Sequence, residues 1–134
     1  MMVIDASVTL DAMLSPEGLD ALAHLGLVSP PLMWSEATSA LREATWRGLL
    51  GREAALVGLQ RLSDAPIEVR SPGTLHREAW SVAEELGWAK TYDAEYVALA
   101  RLEGCPLLTR DAILKRTAGR LIEVVGPTEI QTPG

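Results

Sequence analysis

The chain has 134 residues, 48% of them apolar, with 12 basic and 18 acidic side chains for a net charge of −6, and a single cysteine. That length suits one domain over residues 1–134, able to bury roughly two-thirds of the surface its unfolded chain exposes, so the core needs no staple. Cys105 alone excludes an intramolecular disulfide and any zinc site built on several cysteines. No basic leader precedes Val3 and Ile4, and no stretch reaches about 18 uncharged apolar residues, so neither a signal peptide nor a membrane span is expected and the expected location is cytoplasmic.

Met2-Val3-Ile4 is a short apolar run of the kind that forms a buried strand, and Asp5 stands at its end. Leu10, Met13 and Leu14 share a helical face stopped by Ser15-Pro16. Leu19, Leu22, Ala23 and Leu25 share another, closed by Gly26. Leu27-Val28 predicts a second strand. Pro30-Pro31 then opens a helix from Leu32 to Arg47, since proline is tolerated in a helix's first turn. Gly48 and Gly51 separate it from a helix carrying Leu56, Leu59 and Leu62. Ile67 and Val69 alternate with charged residues, an edge-strand pattern. Leu75 to Leu86 is helical and ends at Gly87, and Thr91 is placed to cap a helix running to Gly104. Pro106 to Thr109 predicts a buried strand, Ala112 to Ala118 a short helix, and Leu121 to Val125 a last strand. Apolar strands alternating with helices predict an open parallel α/β sheet covered on both faces.

The common phosphate-binding and hydrolase signatures are missing. No G-x-G-x-x-G follows the first strand, and no G-x-x-x-x-G-K-[ST], H-E-x-x-H or G-x-S-x-G occurs. His24 and His76 lie in helical patterns among polar neighbours and read as solvated, while Cys105 reads as a small core residue beside Pro106. Charge is uneven along the chain. Residues 1–41 hold Asp5, Asp11, Glu17, Asp20 and Glu36 but no Lys or Arg. Such a balance argues against gripping nucleic acid by bulk electrostatics, though not against a protein whose carboxylates are offset by metal.

Four carboxylates fall at related places. Asp5 ends the first strand, and Asp111 follows the strand Leu107-Leu108-Thr109. Asp93 falls in the first turn of one helix, and Glu36 in the first turns of the helix opened by Pro30-Pro31. In parallel α/β sheets the carboxyl ends of the strands form the ligand crevice. Each acid alone reads as a cap or turn residue. Together they would repel one another unless protons or a cation intervene, and oxygen donors without His or Cys suit Mg2+ or Mn2+.

Val3-Ile4-Asp5-Ala6-Ser7 resembles the start of a PIN domain, in which an aspartate and a hydroxyl residue two places on end the first strand. Pro31 to Arg42 is similar to the family's second acidic motif, Thr91 to Ala100 to its third, and Leu107-Leu108-Thr109-Arg110-Asp111 to its fourth. The resemblance spans Val3 to about Val125 and is strongest to the VapC-type toxins of toxin–antitoxin pairs. It implies a sheet in the order 3-2-1-4-5 with helices on both faces, and metal-dependent hydrolysis of RNA by one or two Mg2+ or Mn2+ ions. It further implies Asp5, Glu36 and Asp93 as main metal ligands and Asp111 as a ligand of a second ion or through water. Ser7 and Thr109 would support them, with Arg42 and Arg110 as phosphate contacts. The expected partners are an RNA substrate, a small antitoxin protein and a second copy of the chain. Trp34, Trp46, Trp80 and Trp88 point to the pair interface, and Trp34 and Trp46 also to the antitoxin seat.

Other classes fit less well. A phospho-acceptor receiver domain needs an aspartate ending its third strand and a lysine ending its fifth. Ile67 to Arg70 offers no aspartate, and Gly126-Pro127 follows Val125. A housekeeping RNase of the same family, or a non-catalytic interaction module with solvated acids, remain the alternatives. Metal dependence separates the nuclease from the module.

Overall fold

The computed structural model describes residues 1–130, so the end of the domain expected over 1–134 lies outside the described residues. Strands β1 (Met2–Ile4), β2 (Leu27–Ser29), β3 (Ile67–Val69), β4 (Leu107–Leu108) and β5 (Val124–Val125) pair in parallel in the order β3-β2-β1-β4-β5. Val3, Ile4, Leu107 and Leu108 are wholly buried. A parallel sheet with helices on both faces gives neither set of side chains a wet side.

From β1 the chain winds outward to β2 and β3, then returns across the sheet to β4 and β5. With right-handed crossovers, that reversal sends the connecting helices to opposite faces. Helices α1 (Ala6–Met13), α2 (Gly18–Leu22), α3 (Leu32–Trp46) and α4 (Arg52–Ser63) pack together as one group. Helices α5 (Leu75–Leu86) and α6 (Tyr92–Glu103) pair as another, with α6 against β1 and β4, and α7 (Ala112–Ala118) lies on β5. Met13, Met33 and Leu41 fill the first group's side of the core, and Leu75, Val82, Val97 and Leu99 the second's. Arg101 ties α5 to α6 by reaching Glu78 at 2.7 Å and Glu85 at 2.8 Å. The reversal also opens a crevice at the carboxyl ends of β1 and β4.

The predicted order of elements holds throughout, with local departures. The helix expected to run through Leu25 becomes α2 followed by a 3-10 turn over Ala23–Leu25, and Gly26 then takes φ 68° to close it. Gly18 is required for a different reason. A Cβ there would lie 2.4 Å from the Ala12 carbonyl oxygen, so only glycine lets the chain turn back against α1. The last strand is shorter than Leu121 to Val125, because the amides of Leu121 and Ile122 both bond the Ala118 carbonyl and continue the turn off α7. Thr91 does precede α6, but its side chain makes no capping bond.

Candidate active site

The register of the sheet assembles the site. Val3 pairs with Leu107 and Ile4 with Leu108, so the next residues, Asp5 and Thr109, come side by side where the strands end. Asp5 is 6% exposed and also serves as the N-cap of α1. Its Oδ1 accepts from Ser7 Oγ at 2.6 Å and from the Val8 amide at 3.2 Å, and its Oδ2 accepts from Thr109 Oγ1 at 2.5 Å. The two hydroxyls then bind the second strand end to the first. Thr109 Oγ1 accepts from the Asp111 amide at 3.1 Å, and Ser7 Oγ accepts from the Arg110 amide at 3.2 Å. Below them, Ser29 Oγ donates to the Ile4 carbonyl at 2.7 Å, pinning β2 to the end of β1.

Glu36 projects from the second turn of α3 and is half-buried. Its Oε1 accepts from the buried Tyr96 hydroxyl at 2.5 Å. Tyr96 escapes sequence reasoning because it reads there as one more apolar residue of α6. The usable signal is its spacing, since a residue three places after Asp93 lies on the same face of the helix. Asp93 stands in the first turn of α6 with an exposed edge, and among the described residues its side chain accepts no hydrogen bond. Asp111 caps α7, its Oδ1 accepting from the Ile113 amide at 2.9 Å and the Leu114 amide at 3.1 Å.

Electrostatics ties three of these acids together. Burial pushes the Asp5 carboxyl up despite the bonds from Ser7, Thr109 and Val8 that favour its charged form. Glu36 is raised first by burial and then by the charges of Asp93, Asp5 and Glu95, against the lowering bond from Tyr96. Asp93 is raised by partial burial, then by Asp111 and Asp5, although its exposed edge screens these effects. The acids therefore feel one another across the crevice. They are not a finished cage. Among the described residues no three His, Cys, Asp or Glu side chains stand in a set ready to hold a metal ion. The oxygens of Asp5 and one oxygen of Asp111 are engaged by protein donors instead. The donor chemistry still fits a hard divalent cation, being carboxylate and hydroxyl oxygen with no sulfur or imidazole.

Two candidate phosphate contacts part company. Arg110 lies beside Asp111 at the crevice and pairs with Asp11 on α1. Arg42 lines an apolar cavity of about 520 Å³ between α3 and α4, together with Arg52, Leu41 and Leu56, rather than meeting the acids. Trp34 and Trp88 pack partly into the core, while Trp46 and Trp80 are 75% and 65% exposed. His76 is exposed, 3.7 Å from Glu95, and burial pushes the Cys105 thiol up, as expected of a residue without a chemical role. Among the described residues no helix is long and apolar enough to cross a membrane.

The family model described as PIN domain matches residues 2–120. The VapC ribonuclease Mb0985 of Mycobacterium bovis is 33% identical over 118 residues, covering 87% of this chain and 91% of its own. Ribonuclease VapC1 of Mycobacterium tuberculosis is 32% identical over 130 residues, covering 91% of this chain and 94% of its own. Among solved structures, PAE2754 from Pyrobaculum aerophilum superposes with a TM-score of 0.75 at 24% identity over 93% of this chain and 87% of that one. VapBC2 from Rickettsia felis, bound to a DNA fragment from its promoter, gives 0.64 at 12% identity over 94% and 98%.

Proposed function

This chain belongs to the PIN domain family, and on that premise we propose that it is a metal-dependent endoribonuclease, the toxin of a toxin–antitoxin pair. The observation that carries the reading is the placing of Asp5 at the paired ends of β1 and β4, bonded to Thr109, where burial first and then the charge of Asp5 raise both Glu36 and Asp93. A bound cation would relieve the repulsion among acids gathered in this way. Asp5, Glu36 and Asp93 would hold Mg2+ or Mn2+, with Asp111 completing a second position through its remaining oxygen. When bound, such ions lower the pKa of water and offset charge on the leaving oxygen, so no histidine base is needed.

The chain's own residues do the positioning. Ser7 and Thr109 fix both oxygens of Asp5, and Tyr96 fixes one oxygen of Glu36. Each carboxylate then presents its other lone pairs to the crevice without a search over rotamers. Arg110 stands at the same strand end to meet a phosphate.

The partner reading follows from the surface. The relatives named above are VapC ribonucleases and one structural neighbour is VapBC2, and an antitoxin segment with an apolar helical face fits the α3–α4 cavity, which Leu41, Leu56, Arg42 and Arg52 line together. Trp46 and Trp80 offer apolar area for a second copy.

The test is cleavage of a mixed RNA substrate with Mn2+, with excess EDTA, and by the Asp93→Asn variant. We expect cleavage only by the wild type with metal, and a variant with an unchanged circular dichroism spectrum. Undiminished cleavage in EDTA, or by the variant, overturns the nuclease reading. Expression in the native host should arrest growth, and co-expression of the small protein encoded beside it should relieve the arrest. Growth unaffected by an active enzyme would make it a housekeeping RNase.

A further inference from the structure

An open depression of about 460 Å³ adjoins the acidic crevice on the β5 side, between the start of α7 and the turn after β5. Thr109 and Asp111 line its inner edge, and through them it is continuous with the crevice, since Thr109 bonds Asp5. Arg110 and Lys115 line its walls. Both cations are already occupied. Arg110 pairs with Asp11 of α1, and Lys115 with Glu129 of the 3-10 turn Pro127–Glu129. All four side chains are about half exposed, from 44% to 52%. Ion pairs this exposed contribute little and are exchanged readily.

A polyanion meets a problem on this protein that the depression answers. The molecule carries −6 overall, and the crevice concentrates acid. An RNA strand entering it needs local cations at the margin, and they must not draw it to the surface elsewhere. Arg110 and Lys115 supply charge beside the crevice, and Asp11 and Glu129 neutralise that charge until a phosphate replaces them. The exchange is favoured because a phosphate is also a strong hydrogen-bond acceptor.

We propose that this depression holds the RNA strand leaving the crevice, with Arg110 and Lys115 as phosphate contacts that release Asp11 and Glu129 when the strand binds. The inference rests on the nuclease reading and adds the path of the substrate to it. Glu129 also accepts from the Gly126 amide at 3.0 Å, so Glu129→Gln keeps the shape of the turn while removing the competing charge.

The experiment measures binding of a labelled single-stranded RNA as a function of salt, in an Asp93→Asn background so that the strand stays intact. Lys115→Gln should weaken binding and flatten the salt slope by about 0.7, as does loss of a single phosphate contact on a single strand. Arg110→Gln should do the same and serves as an independent second variant. Glu129→Gln and Asp11→Asn should tighten binding several-fold. Glu17→Gln makes the same charge change beyond the far end of α1 and should leave it unaltered. In the active protein these substitutions should move KM and leave kcat in place. The proposal is overturned if Glu129→Gln and Glu17→Gln act alike, or if Lys115→Gln and Arg110→Gln leave the slope intact, as when an acidic protein segment uses these cations instead. A wild type that cleaves RNA under those results fails only this inference, whereas one that neither cleaves nor holds RNA fails the nuclease reading with it.

Discussion

Asp93 and Asp5 are both aspartates of the crevice, yet neutralising them should have different consequences. Asp93 accepts no bond among the described residues, so Asp93→Asn removes repulsion and loses only the carboxylate's attraction to the N-terminus of α6. Asp5→Asn keeps the cap on α1, but its new amide meets Thr109 Oγ1, which already accepts from the Asp111 amide. The hydroxyl hydrogen is then left without an acceptor, and that cost opposes the relief of buried charge. The pH dependence follows from the sign of the shifts. Asp5, Glu36 and Asp93 titrate above their ordinary values of 3.8, 4.5 and 3.8 in the folded protein, so the native state binds more protons than the unfolded chain. Stability from this source is whole below those ordinary values and is lost as pH rises through the raised ones. Metal-free Asp93→Asn should therefore melt above wild type at neutral pH, and the two should converge near about pH 3, where both carry protonated acids. Thermal melts in EDTA at the two pH values decide it. A variant that melts lower at neutral pH would mean that the acids do not crowd. Tyr96→Phe should act in the opposite sense, costing about 1–2 kcal/mol by leaving the Glu36 carboxylate without its donor, readable as a fall in the urea midpoint.

At the scale of elements, the joints between strands and helices carry the site, and these were also its most legible part. Three-residue apolar runs such as Met2-Val3-Ile4 mark buried strands plainly, because a strand covered on both faces has no polar position to blur it. The bounds of α7, Ala112–Ala118, agree with the sequence pattern, since Asp111 and Gly119 punctuate it. The positions of Asp5 and Asp111 at strand ends were legible for the same reason. What was hidden is the pairing across long stretches of chain. Nothing local ties Thr109 to Asp5, or Tyr96 to Glu36, and the final strand was overread because Leu121 and Ile122 are apolar but spend their amides on the turn after α7. Thr109→Val tests the joint directly. It removes a donor to Asp5 and an acceptor for the Asp111 amide in a buried place, and should cost about 2–3 kcal/mol while abolishing cleavage. Gly18→Ala tests the turn between α1 and α2, where the added methyl would collide with the Ala12 carbonyl. A loss of about 1–3 kcal/mol with unchanged cleavage per folded molecule is expected, because the strain lies away from the crevice.

Over the whole molecule, the acids at the crevice make metal binding and folding one equilibrium. The unfolded chain scatters Asp5, Glu36, Asp93 and Asp111 along more than a hundred residues, so only the native state offers them together. Any ion they hold must then raise the melting temperature by mass action, at about 2.7 kcal/mol when its concentration is a hundred times Kd. For a domain of this size that amounts to a shift on the order of 10 °C. The starting arrangement sharpens the expectation, since among the described residues no three acids stand ready as ligands. Gathering carboxylates around an ion orders their side chains, and part of the ion's free energy is spent on that ordering. The shift should therefore depend on Tyr96, which already holds one Glu36 oxygen in place. Titrating Mn2+ against wild type, Tyr96→Phe and Asp93→Asn while following thermal unfolding separates these contributions. Wild type should show the largest rise, Tyr96→Phe the same rise at higher Mn2+, and Asp93→Asn little or none. If Mn2+ moves all three equally, the ion binds elsewhere on an acidic surface. If it moves none, the four carboxylates are caps of the helices they begin, and the crevice between β1 and β4 has no cation to work with.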